Sequence, residues 1–414
     1  MTKEEFIKLD DDDPLRSFRD EFYIPEDTIY FDGNSLGMAP KETQSRMAKV
    51  IENEWGQGLI RSWMDNDWGI AGQRIGNKIA YLIGANEGEV IAADSTSVNI
   101  FKLIAAAIEC NPGRETILTT EDNFPTDLYM MQGLENFSPE KIKAKVVPEK
   151  QLLNKLDDSV AALLLTEVNY KTGEIADMAG ITQKAHEKGI LVIWDLSHSA
   201  GSIPVNLNDC SVDFAVGCGY KFLNGGPGAP AFLFVAKRHQ KKIKPILSGW
   251  MGHEDPFSFV NKYSPAKGIN RFLCGTPPVL GLIALECGVD IVIKANIDAL
   301  REKTMNMGSI FIDLMESQCG EFGFELASPR DDKMRAGQVS FKHPSGFAVN
   351  QALVENGIVG DFRVPDIIRF GIAPLYTRYQ DIYDAVENIK RIMKEELWRK
   401  SDQDAMTFTQ AFRK

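Results

Sequence analysis

The chain has 414 residues, 44% hydrophobic and 25% charged, a balance that excludes a disordered or fibrous protein and gives length enough for two subdomains. Its net charge of −12 argues against a nucleic-acid or anionic-membrane partner but leaves room for a local basic pocket around a small anion. No stretch approaches the ~20 apolar residues that span a bilayer, the acidic opening MTKEEFIKLDDDDPLRSF lacks an apolar signal core, and six scattered cysteines without a CxxC pair read as free thiols, so a cytoplasmic protein without a bound metal is expected.

Pro40 opens a helical pattern over 40–55, with Met47, Val50, Ile51 and Trp55 at helical spacing. A second helix follows Asp94-Ser95-Thr96-Ser97 and carries Val98, Phe101 and the run from Leu103 to Ile108. The chain then alternates: a strand at 115–120, a helix near 126–135, apolar runs at 144–148 and 160–168, a helix near 178–188, and strands at 189–195, 213–218 and 231–236. This alternation predicts an α/β domain with a largely parallel sheet covered on both faces. After Thr276-Pro277-Pro278 the pattern changes to two long helices (279–295 and 298–316), short strands at 337–342 and 367–373, and a last helix at 380–398. The expected division is an N-terminal segment 1–59 packing with the small domain, a large α/β domain 60–275, and a small α+β domain 276–414.

The segment DFAVGCGYKFLNGGPGAP, 213–230, runs a strand out into Lys221 and then into a glycine-rich turn. A lysine at the carboxyl end of a buried strand stands where open α/β sheets bind ligands, and desolvation makes its amine a nucleophile. A surface lysine before a Gly-Pro turn is the competing reading. In ILVIWDLSHSAG, 190–201, a buried strand ends in Asp195, 26 residues before Lys221, with His198 three residues on. An aspartate so placed either pairs with a pyridinium nitrogen, keeping a cofactor ring electron-accepting, or caps a turn. Thr96 and Ser97 at a helix start offer hydroxyls and free N–H groups to a phosphate, or serve as ordinary caps. GPGAP is not a nucleotide loop, and no G-x-G-x-x-G follows a strand.

Together these residues resemble the fold-type-I pyridoxal-phosphate enzymes, and within them the kynureninase family. The likeness covers nearly the whole chain, through YFDGNSLGMAPK (30–41), DNFPTDLY (122–129), TEVNYKTGEIADM (166–178), WDLSHSAG, GCGYKFLNGGPG, LSGWMGH (247–253), RFLCGTPPVLG (271–281) and PDIIRFGIAPLYT (365–377). It implies a large domain on a mostly parallel seven-stranded sheet plus a smaller α+β C-terminal domain, and a homodimer with active sites at the interface. Lys221 would carry pyridoxal 5'-phosphate as a Schiff base, Asp195 would pair with the pyridine nitrogen, and Phe124 would stack on the ring. Asp127, His198 and Thr172 would complete the ring's surroundings. Thr96, Ser97, Tyr220 and Trp250 would surround the phosphate, with Thr276 reaching it from the partner subunit. Arg369 would clamp the substrate α-carboxylate by a bidentate contact.

The implied reaction is hydrolysis of L-kynurenine to anthranilate and L-alanine, a step of tryptophan catabolism and of the kynurenine pathway toward NAD biosynthesis. Lys221 is the expected general base, and Tyr220 either relays a proton or binds phosphate. Gly275, Thr276 and Trp63 look like the bacterial pattern, which favours unsubstituted kynurenine over the 3-hydroxylated substrate. The alternatives are a related lyase such as a cysteine desulfurase, an aminotransferase, or a non-catalytic protein that keeps the fold. Cysteine desulfurases usually show a histidine before the lysine, where this chain has Tyr220. No nucleic acid and no membrane partner is expected.

Overall fold

A computed structural model describes residues 2–403. Two compact units emerge: one comprises 42–169 and 176–294, the other the chain up to 41, the excursion 170–175, and 295 onward. The sequence reading draws its divisions at 59/60 and 275/276 instead.

The larger unit is built on seven strands: β1 (Val90–Ala92), β2 (Thr116–Thr120), β3 (Lys143–Val147), β4 (Val160–Thr166), β5 (Leu191–Asp195), β6 (Phe214–Gly217) and β7 (Phe232–Val235). Their order is β1-β7-β6-β5-β4-β2-β3. β7 runs antiparallel to both neighbours and every other pairing is parallel. β2, β6 and β7 are buried at every residue, as expected of strands covered on both faces. Ile100, Leu103 and Ile104 of helix Thr96–Cys110 and Met131 and Leu134 of helix Pro125–Phe137 share one core with Ile117, Leu164, Ile193 and Phe214. Just before β6, buried Asp213 accepts from the Val192 amide (2.9 Å), Arg238 (2.7 Å), His239 (2.7 Å) and His186 (2.8 Å). That anchor fixes the start of the strand that leads to Lys221.

The smaller unit carries an antiparallel sheet of β8 (Glu325–Leu326), β9 (Gln338–Lys342), β10 (Asp361–Arg363) and β11 (Ile367–Gly371), in the order β10-β11-β9-β8. Phe311 of helix Ile297–Cys319 packs on Phe341 and Phe370, and Ile382, Val386 and Ile389 of helix Tyr379–Lys394 close the same core. The N-terminus joins this unit twice. Ile29–Tyr30 pairs in parallel with Ile358–Val359, and Asp10 accepts from the amides of Tyr379 (2.6 Å) and Gln380 (3.0 Å) at the start of the last helix.

The predicted elements of the alternating region are all present. Helices Ala71–Leu82 and Gly346–Glu355 add to them, and the helix from Lys41 to Lys49 continues as a wider π-type stretch over Val50–Gly58. All six cysteines are free. Among the described residues no helix is long and apolar enough to cross a membrane, and no group of side chains could hold a metal ion.

Candidate active site

The parallel strands of the larger unit all end on one edge of the sheet, and the expected residues follow those ends. Thr96 and Ser97 come after β1, Phe124 and Asp127 after β2, Asp195 and His198 after β5, and Tyr220 and Lys221 after β6. The β5–β6 pairing sets Asp195 opposite Val216, so the aspartate and the lysine segment leave the sheet side by side.

Lys221 Nζ lies 2.9 Å from His198 Nε2, 5.8 Å from the Phe124 ring centre and 6.0 Å from the Tyr220 ring centre. The amine and the imidazole share a hydrogen bond through these two nitrogens. The turn behind Lys221 uses Gly226 at φ 87° and Gly228 at φ 71°, left-handed conformations that explain the glycines of GGPG. Asn123 holds Phe124 in place. Its Oδ1 accepts from the Phe124 amide (2.7 Å) and the Thr166 hydroxyl, and its Nδ2 donates to Thr119 Oγ1 (2.9 Å) and the Leu164 carbonyl (3.2 Å).

Two carboxylates are buried beside the lysine. Asp195 is 3% exposed and accepts from the Ser197 amide at 2.7 Å. Asp127 is 1% exposed, and neither of its oxygens has a hydrogen-bond partner of proper distance and angle; Asn123, which lowers its pKa slightly, has its amide committed elsewhere. Burial and then the charge of Asp195 push the Asp127 carboxyl well up, and burial pushes Asp195 up against the pull of Ser197 and Lys221. Two buried acids with unused acceptor oxygens are costly unless a cation joins them. Burial, followed by the neighbouring Cys218, also keeps the Tyr220 phenol neutral by raising its pKa.

At the start of the fifteen-residue helix Thr96–Cys110, Ser95 is the N-cap and accepts from the Val98 amide at 3.4 Å. The amides of Thr96 and Ser97 are left for an anion. Behind them Lys102, itself buried, is tied to Asp94 (2.5 Å) and the Phe272 carbonyl (2.6 Å). These donors, the Phe124 face, the reactive amine and the acidic pair fit a phosphorylated planar ring with a protonated ring nitrogen.

The other expected residues differ in their settings. Trp250 is 46% exposed, donates to the Pro256 carbonyl and stacks on Phe259. Gly275 and Thr276 are exposed in the loop before helix Val279–Ala295. Trp63 packs edge-on against Trp68 with ring centres 5.9 Å apart. Thr172 and Arg369 belong to the smaller unit. Thr172 Oγ1 accepts from the Glu174 amide at 3.2 Å, and its carbonyl accepts from Ser328 at 2.6 Å. Arg369 is 1% exposed and bonded to Asp361, Ser35 and the Tyr170 carbonyl. Asn123, Asp361, Arg363 and Asp32 were not singled out from the sequence. Asp32 and Asn123 lie within the segments YFDGNSLGMAPK and DNFPTDLY, and Asp361 and Arg363 lie just before PDIIRFGIAPLYT.

Comparison with known proteins agrees with this geometry. The family model described as kynureninase C-terminal domain matches residues 300–389. A kynureninase of Burkholderia pseudomallei (strain 1106a) is 45% identical over 403 residues, 96% of this chain and 97% of that protein. One from Pseudomonas fluorescens is 42% identical over 402 residues, again 96% and 97%. Among solved structures, an apo cysteine desulfurase from Thermococcus onnurineus NA1 superposes with a TM-score of 0.78 at 20% identity, covering 92% of this chain and 98% of that one. A C-DES variant with glycine covalently linked to its PLP cofactor gives 0.74 at 18%, covering 90% and 98%. The low-identity matches establish the fold. The near-full-length identity shows that the chain belongs to the kynureninase family.

Proposed function

We propose that this chain hydrolyses L-kynurenine, consuming one water and breaking the Cβ–Cγ bond to give anthranilate and L-alanine, with pyridoxal 5'-phosphate held by Lys221. The observation that carries the reading is the cluster at the sheet edge, where the Lys221 amine, His198, the Phe124 face and the buried pair Asp195 and Asp127 converge. When bound, the cofactor supplies an electron sink for charge developing at the substrate Cα.

The residues divide the remaining work. Thr96 and Ser97 hold the phosphate at a helix N-terminus, and Asp195 keeps the ring nitrogen protonated. Lys221 takes the α-proton as general base, and its contact with His198 aims the amine. Arg369 binds the α-carboxylate. Tyr220, kept neutral, holds a proton to give or to place on the phosphate. The direct test is a spectrophotometric assay of the purified protein with kynurenine, 3-hydroxykynurenine and cysteine side by side. Anthranilate release from kynurenine supports the reading; sulfide release from cysteine alone would replace it with a desulfurase.

The unsubstituted ring is the expected preference. A 3-hydroxyl needs a polar partner, Gly275 has no side chain to offer, and Trp63 turns its ring to Trp68. An unpaired buried hydroxyl costs about 1–3 kcal/mol. Apolar surroundings exclude an added hydroxyl poorly, so kcat/KM should favour kynurenine by roughly tenfold. Equal values, or preference for the hydroxylated ring, would contradict this.

A homodimer with shared sites belongs to the same reading. Support comes from exposed apolar residues of the larger unit, Ile60 at 77%, Met64 at 82% and Phe259 at 76%, together with exposed Thr276. Thr276 is expected to reach the partner's phosphate. Mixing inactive Lys221→Ala with an inactive Thr276→Ala protein then leaves one intact site in each mixed dimer. About a quarter of wild-type activity should return after full exchange. No recovery from verified mixed dimers would exclude sharing. The unpaired cysteines support a reducing, cytoplasmic location.

A further inference from the structure

The setting of Arg369 in the smaller unit raises a question of charge. β10 and β11 place Asp361 directly opposite Arg369. Arg369 donates through Nε to Asp361 Oδ1 at 2.5 Å and through Nη2 to Oδ2, through Nη1 to the Tyr170 carbonyl at 2.5 Å, and through Nη2 to Ser35 Oγ at 3.2 Å. Arg363 reaches the same Asp361 Oδ2 at 2.8 Å. Beside them stands Asp32, from the FDGNS turn, whose Oδ1 is buried without a hydrogen-bond partner. A Cβ at Gly33 would collide with Tyr376 Oη, so the turn is pressed close against that residue.

The charged groups facing Asp32 are Asp361 and Arg363 from β10 and Arg369 from β11, and the titratable neighbours are Tyr30 and Tyr376. Burial keeps both phenols neutral. Two arginines therefore face two aspartates, and the cluster is neutral before any ligand arrives. A substrate carboxylate brought to Arg369 adds a third negative charge to a buried group of four. Burial raises the Asp361 carboxyl, but the bond and charge of Arg369 outweigh it and hold Asp361 ionised. Burial and then the charge of Asp361 push Asp32 up to about 6.

Resting on the reading of Arg369 as the carboxylate contact, we infer that Asp32 is a charge-balancing positioning residue, which takes up one proton when the substrate α-carboxylate docks on Arg369. The unpartnered Oδ1 accepts that proton, the cluster returns to neutrality, and Asp361 keeps its hold on the guanidinium. The sign follows from linkage. A ligand that favours the protonated acid binds more weakly as pH rises above the acid's free pKa, by up to about tenfold per pH unit until the bound pKa is reached. Substrate binding should therefore weaken between pH 6 and 8.

The test compares wild type with Asp32→Asn as holoenzymes. The variant carries the neutral form permanently, so its KM for kynurenine should lie within about twofold of wild type near pH 6 and be on the order of 50- to 100-fold lower at pH 8, with kcat within threefold. A gain in affinity is something a merely structural defect does not produce. Calorimetry of kynurenine binding at pH 7.5, in buffers of different ionisation heat and with slowly turning Lys221→Ala holoenzyme, should show close to one proton per site more taken up than the same titration on the Asp32→Asn background. If wild type turns over kynurenine but binds it with no Asp32-dependent proton uptake, or if Asp32→Asn binds no better at pH 8, the inference is overturned. If wild type does not act on kynurenine at all, the functional reading fails instead.

Discussion

Lys221→Ala is expected to lose at least about 10³-fold in kcat. On the proposed reading the variant loses both the covalent attachment and the general base, and a positioned base alone is worth about 10²–10⁴-fold. His198 cannot replace it, because its Nε2 faces the amine rather than standing in the amine's place. Borohydride reduction of wild type followed by peptide mapping should place the cofactor on the peptide containing Lys221. The other deeply buried lysines are poor competitors. Lys102 is tied to Asp94 and the Phe272 carbonyl, and Lys303 to Asp13 at 2.7 Å and the Pro374 carbonyl at 2.7 Å. An amine held by both a carboxylate and a carbonyl is not free to turn to an aldehyde. Label on Lys102 or Lys303, or a Lys221→Ala protein with near-normal turnover, would refute the assignment. A small amine such as methylamine should restore a fraction of the variant's activity by supplying a base in the vacated space.

Why Lys221 was legible and Asp32 was not is a matter of range. Lys221 and Asp195 each follow an apolar run by one to four residues, and the strand-end rule needs nothing from the rest of the chain. The seven-stranded sheet was accessible for the same reason, since its strands announce themselves as unbroken apolar runs between helices. The Asp32 cluster is assembled from segments more than 300 residues apart, through the Ile29–Tyr30 and Ile358–Val359 pairing and the β10–β11 register. Local pattern carries no information about which distant acid faces which arginine. Helix Gly346–Glu355 escaped because it opens at Ser345-Gly346 with no side-chain cap and is apolar on several sides, so its periodicity is faint. Local pattern alone makes Asp127 in FPTD a first-turn acid favouring a helix dipole; the family resemblance places it beside the ring, and its burial with both oxygens unpartnered supports that place.

Asp195→Asn should bind cofactor at nearly full occupancy and yet lose about 10²–10³-fold in kcat. In the proposed site attachment rests on Lys221 and on the helix start at Thr96 and Ser97, none of which the substitution touches. The change is confined to one buried oxygen replaced by an amide. Asp195 is 3% exposed, so solvent does little to screen its charge on a ring nitrogen. Removing one partner of a buried ion pair costs about 3–5 kcal/mol. Where that pairing holds the proton on which electron withdrawal depends, the loss falls on the barrier, and each 1.36 kcal/mol is tenfold in rate. Asp127 is the obvious substitute, since it lies close enough for the charge of Asp195 to push its carboxyl up. It is held at the first turn of helix Pro125–Phe137, however, whereas Asp195 is fixed by the Ser197 amide at the end of β5. Asp127→Asn should therefore be milder, within about tenfold, and the double variant should be little worse than Asp195→Asn alone. Absorbance spectra of the purified variants report occupancy, and anthranilate release reports kcat. An Asp195→Asn protein that holds cofactor and turns over at near wild-type rate would remove the aspartate from the chemistry. A larger loss in Asp127→Asn than in Asp195→Asn would exchange the two roles.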